Sequence, residues 1–266
     1  MSLTEQGRFS WASSVDDTAD PLDPKLILMV LAGTFLLFVV PSAAEVINPF
    51  RWFTTLFHEL GHALAVVLMG GEVVDLTINR RGGGLTQARV PNSLGVQIVV
   101  SSAGYLSSIF VGVGLLAATK YLRSGRVVLG VLAVIPLLVA VAWVPWSADF
   151  LASDAAVAAS GSRAGDGRFT WLFAVVTSGV LAAIALATPV RVRQLIVVAL
   201  AALLCWSAFG DLFTLVGFTL GARGHSDAEA LAQRTFIPAA VWAFAWCLMA
   251  VAALWWALRS LLRTQI

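Results

Sequence analysis

The chain has 266 residues, 59% of them apolar and only 12% charged, with a formal net charge of +2. About a quarter of the residues in a soluble domain are charged, so this composition belongs to a polytopic membrane protein. So small a net charge leaves no electrostatic footprint for nucleic acid.

Basic residues sit mostly at the ends of apolar runs, as membrane flanks do. Cys205 and Cys247 both lie inside apolar runs and lack a CxxC neighbour. They read as small buried hydrophobes, not as a thiolate metal site. Residues Met1 to Pro24 are polar, with Asp16, Asp17, Asp20 and Asp23, and read as a flexible tail. No cleavable signal peptide is visible, and the first apolar run, Leu26 to Ala44, is long enough to be a permanent span.

Glu45, Asn48 and Pro49 are expected to break that run, and a second helix to start near Phe50 and stop at Gly70-Gly71. This second helix carries His58-Glu59-Leu60-Gly61-His62. On a helix, His-Glu-x-x-His places two imidazoles one turn apart on one face. Neutral imidazole is a good zinc ligand, and the intervening glutamate lies where it can take a proton from water. The same short pattern arises by chance on soluble helices. Here both flanks are apolar from Phe50 to Met69, and two of the chain's three histidines fall on the spacing. Ionisable groups at membrane depth are costly and mark function.

The next segment differs from the rest. Val73 to Ile78 is rich in β-branched residues, Asn79-Arg80-Arg81-Gly82-Gly83-Gly84 reads as a turn, and Leu85 to Val90 resumes partial alternation. Together they predict a β-hairpin. Such a hairpin could pair only with itself, or could offer its free edge to an extended substrate.

Leu94 to Thr119 is the next span, with Ser101, Ser102, Ala103, Gly104, Ser107 and Ser108 along it. Small residues let helices approach closely, so this span is expected against the motif helix. Further spans are expected at Val127 to Trp146, Phe169 to Ala187, Leu195 to Leu220 and Phe236 to Leu258, with loops at Ser147 to Arg168 and Gly221 to Arg234. The fold class is therefore all-α and polytopic, with about six to seven transmembrane helices and a small β-hairpin after the motif helix. It forms one membrane-embedded domain over residues 25–266. Lys120 to Arg126, Arg191 to Arg193 and Arg259 to Arg263 fall on one side in this count, which the positive-inside rule makes cytoplasmic.

A catalytic zinc normally has three protein ligands and one open position. Asp211, a lone carboxylate within an apolar span, is the first candidate for the third ligand. His225, in the polar loop Gly224-His225-Ser226-Asp227-Ala228, and Glu45, at a helix end, are its rivals.

His58-Glu59-Leu60-Gly61-His62 in a hydrophobic helix, followed by a glycine-bounded hairpin, resembles the site-2 protease family of intramembrane zinc metallopeptidases. Gly210-Asp211 is similar to that family's distal aspartate motif, although leucine stands where the better-known members have glycine. The layout looks most like the compact bacterial branch without a PDZ domain. The resemblance implies His58, His62 and Asp211 as zinc ligands and Glu59 as general base. It also implies a multi-pass protein of the cell membrane acting on a membrane protein or peptide. It puts the hairpin on the cytosolic side, against the charge count, so orientation stays open. The rival readings are a transporter or ion-binding protein built on intramembrane His, Glu and Asp, for which no internal repeat is visible, and a non-catalytic membrane scaffold, which would not need Glu59.

Overall fold

The computed structural model of the chain describes residues 22–39, 44–121, 124–146, 164–219 and 226–263; side chains at 37–39, 44–47, 164–165, 211–219 and 261–263 lie outside the description. Most of the polar N-terminal segment, and Asp149, Asp154 and His225, also lie outside it. The order of elements is α1 (Pro24–Val39), α2 (Ala44–Leu68), β1 (Glu72–Ile78), β2 (Gly84–Arg89), α3 (Leu94–Tyr121) and α4 (Arg126–Trp143). α5 (Ala164–Ala187), α6 (Val190–Thr219), α7 (Asp227–Thr235) and α8 (Ala239–Arg263) follow. Five helices among the described residues are long and apolar enough to cross a membrane: α3, α4, α5, α6 and α8. α1 has 16 residues, about 24 Å of helix against a hydrocarbon layer of about 30 Å. α2 is long enough at 25 residues but carries the ionisable motif. The fold is an all-α polytopic membrane bundle with one two-stranded antiparallel sheet.

Three boundaries differ from expectation. The polar segment ends earlier: Leu22 is buried in the core, and the Asp23 carboxylate accepts the Lys25 N–H at 2.8 Å. Asp23 thus caps α1, with Pro24 at the first helical position, where a missing N–H costs nothing. Pro49 does not start a new helix, because α2 begins at Ala44 and runs through it. Pro49 is exposed and near the helix start, so only one early backbone hydrogen bond is lost. The expected loop from Gly221 to Arg234 contains α7, a helix of nine residues.

Lipid tails are as apolar as leucine, so helices in a bilayer are held by close packing and polar contacts. α3 supplies both on two faces. Toward α2, a Cβ at Gly61 would come within 2.6 Å of Ala103 O, so only glycine allows the approach. The Ser107 hydroxyl shares its proton between Gly104 O at 2.8 Å and Phe57 O of α2 at 3.0 Å. Toward α6, a Cβ at Gly112 would lie 2.7 Å from Cys205 Sγ and 2.9 Å from Ala201 O. α6 also meets α1, where Trp206 Nε1–H donates to Leu31 O at 3.2 Å.

The hairpin lies along one stripe of α2. Trp52 Nε1–H donates to Arg80 O at 3.2 Å, and Thr55 Oγ1–H donates to Gly82 O at 2.8 Å. Its register pairs Leu76 with Thr86 and Ile78 with Gly84, with a bulge between Val73 and Asp75. Leu76, Thr77 and Ile78 are buried. At the end of β1, Ile78 N–H donates to Thr170 Oγ1 of α5 at 2.9 Å, which fixes that edge against the bundle. No second strand pairs with β2 among the described residues.

Candidate metal centre

His58 and His62 stand one turn apart on α2 with their Nε2 atoms 3.0 Å from each other. His62 Nδ1 is 2.7 Å from Val100 O of α3. A carbonyl only accepts, so Nδ1 carries the proton and Nε2 presents its lone pair. His58 Nδ1 is buried without a hydrogen-bond partner among the described residues. That ring is oriented instead by packing, edge to face on Tyr105 with centroids 4.8 Å apart. Tyr105 in turn stacks on Trp246 of α8 at 4.7 Å, and Trp246 Nε1–H donates to Ser102 Oγ at 3.0 Å.

The acidic atom facing the imidazoles comes from α7. Asp227 Oδ2 is 3.5 Å from His58 Nε2 and 3.4 Å from His62 Nε2. Asp227 is the first residue of α7. Ser226 caps that helix, accepting the Glu229 N–H at 3.2 Å. The N-terminal end of a helix dipole favours the negative charge there. Ala228 and Leu231, one turn apart, bury themselves beside Tyr105, Ala243 and Trp246 and so seat α7 over the motif.

His58, His62 and Asp227 therefore place three ligand atoms within 4.8 Å of one another. Tetrahedral zinc with bonds near 2.0–2.1 Å separates its ligand atoms by about 3.3 Å. The observed separations of 3.0, 3.4 and 3.5 Å suit that geometry, and two imidazoles with one carboxylate are a zinc donor set. Gly104 supplies an independent indication. A Cβ placed there would meet both Nε2 atoms, that of His58 at 2.5 Å. The backbone of α3 thus leaves open the space onto which the imidazoles converge.

Asp211 lies in the part of α6 whose side chains are outside the description, as does Glu45 at the start of α2. Asp227 was not singled out from the sequence, because it reads as one more charge in a polar stretch. Ser226-Asp227-Ala228-Glu229 is, however, a capping-box pattern. It signals a helix starting at Asp227 within the segment expected to be a loop.

Glu59 is buried, 6% exposed, on the same helix. Its Oε2 accepts from Thr86 Oγ1 of β2 at 2.7 Å. A Cβ at Gly84 would come within 2.6 Å of Glu59 Oε1, so β2 approaches this carboxylate as closely as a glycine permits. A cavity of about 440 Å³ opens over these groups, lined by His58, Glu59, His62 and Asp227 with Leu85 and Ala88 of the hairpin. It is large enough for several residues of an extended chain beside the imidazoles.

A family model described as Peptidase M50B-like matches residues 27–159 and 166–257. No curated protein and no solved structure matches the chain.

Proposed function

The chain belongs to the peptidase M50B-like family, and we propose that it is a zinc-dependent endopeptidase cutting peptide bonds within or beside the cell membrane. The observation that carries this reading is the convergence of His58, His62 and Asp227 beside the buried Glu59, in a cavity bordered by a strand edge. His58, His62 and Asp227 would hold the metal, with Asp227 in the place that the sequence pointed to for Asp211. Zinc bound there would supply Lewis acidity toward the scissile carbonyl and toward the attacking water.

The chain's own groups do the remaining work. Glu59 takes the water proton and passes it to the leaving amine. Burial of Glu59 and His62 keeps bulk water from competing for these contacts. The edge of β2 on which no strand pairs among the described residues receives the substrate as an added strand, since a scissile amide must be extended to be reached. The substrate class is a membrane-spanning or membrane-proximal peptide whose helix has frayed near the cut.

The test uses the purified full-length protein in detergent with fluorescein-labelled casein, an unfolded chain, as probe. Cleavage that requires zinc, stops with a zinc chelator and is lost in Glu59→Gln supports the proposal. Cleavage that survives Glu59→Gln, or zinc flux into proteoliposomes without any cleavage, overturns it.

A further inference from the structure

A side chain of the hairpin that hydrogen-bonds the Glu59 carboxylate belongs to neither the donor set nor the motif. Thr86 Oγ1 lies 2.7 Å from Glu59 Oε2 and 3.1 Å from Glu59 O. A hydroxyl has one proton, and the shorter, charge-assisted contact to the carboxylate is the stronger of the two. We infer that Thr86 is a positioning residue for the general base: its hydroxyl ties down Oε2, so that Oε1 is the oxygen that accepts the proton. This rests on the peptidase reading given above.

Three features of the structure carry the assignment. First, Gly84 and Thr86, two residues apart on β2 and so on one face of it, both meet Glu59, Thr86 at Oε2 and Gly84 beside Oε1. The carboxylate is thus bounded by one face of one strand. Second, the strand is itself fixed to α2, through Thr55 Oγ1 to Gly82 O and Trp52 Nε1 to Arg80 O. The hydroxyl therefore has a definite place from which to donate. Third, threonine is β-branched and stiff at χ1, so the donor loses little freedom in holding that place. A buried glutamate on a helix otherwise has three free side-chain torsions, and a general base gives up much of its effect when its oxygen is misplaced by about an ångström.

The geometry has a consequence for the substrate. An extended peptide added to the edge of β2 would bind the same strand that holds Glu59. Substrate docking and orientation of the base are then coupled through Thr86, and a loosely paired chain would meet a less well oriented carboxylate.

The test compares wild type, Thr86→Val, Thr86→Ser and Glu59→Gln as full-length proteins. Valine keeps the shape and removes the donor; serine restores it. With fluorescein-labelled casein, Thr86→Val should lower kcat on the order of tenfold at unchanged KM, with zinc content unchanged, and Thr86→Ser should recover most of the loss. A second measurement does not depend on turnover: the carboxylate stretch of Glu59, isolated as the infrared difference between each protein and its Glu59→Gln counterpart. Thr86→Val should shift that band and Thr86→Ser should return it. A Thr86→Val enzyme with wild-type kcat, or one whose defect lies only in KM, overturns the inference while leaving the peptidase reading intact. So do coincident infrared bands. A shifted band in a protein that binds zinc but cleaves nothing overturns the peptidase reading instead.

Discussion

Replacing Gly104 by alanine adds a single methyl group at the point where the imidazoles meet. Its Cβ would lie 2.5 Å from His58 Nε2 and closer still to His62 Nε2. Non-bonded heavy atoms sit near 3.5 Å, so one side must give way by about 1 Å. α3 cannot easily retreat, because Ser107 is hydrogen-bonded to Phe57 O of α2 and Gly112 already lies close against Ala201 O and Cys205 of α6. The imidazoles must therefore move, and zinc sites hold their ligand distances to about 0.2 Å. Loss of one good ligand should weaken zinc binding at least 100-fold, or about 2.8 kcal/mol. The assay is competitive zinc titration against a fluorescent chelator, with circular dichroism to show that the helices remain. Gly114, ten residues along the same helix, is the control: a Cβ there meets nothing within 4 Å. Gly114→Ala should bind zinc normally and be neutral or stabilised by up to about 1 kcal/mol, the helix propensity difference. Wild-type zinc affinity in Gly104→Ala would refute the placement of the site.

Two further outcomes follow from the same geometry. Glu59→Gln should retain zinc and lose at least about 100-fold in cleavage of labelled casein; lost zinc would show that Glu59 serves the metal site and not the proton. Thr170→Val removes the hydroxyl that meets Ile78 N–H at 2.9 Å, at a buried site. Leaving that N–H unpaired should cost about 1–3 kcal/mol, read as a lower unfolding midpoint in detergent with unchanged zinc content.

The motif helix and the hairpin were legible in the sequence because their signals are local. His58 and His62 carry the helical spacing in the residues themselves, and Val73 to Ile78 with the glycine-rich turn gives both the strands and the break between them. The expected approach of α3 to the motif helix was likewise legible, in Gly104 and Ser107. The partner of the imidazoles was not. Asp211 drew attention because a carboxylate in an apolar span is costly, whereas Asp227 in a polar stretch carries no such penalty. What brings Asp227 to the imidazoles is tertiary: Ala228 and Leu231 pack on Tyr105, more than a hundred residues away in the chain, and on Trp246 of α8. The capping box at Ser226 to Glu229 marks where α7 starts but not what it faces.

The central claim is that His58, His62 and Asp227 together grip one divalent ion. The most direct measurement is zinc content by elemental analysis on purified wild type, Asp227→Ala and Asp211→Ala, each shown to be folded. The account predicts about one zinc per chain in wild type and in Asp211→Ala, and none in Asp227→Ala. Zinc retained by Asp227→Ala and lost from Asp211→Ala would contradict it.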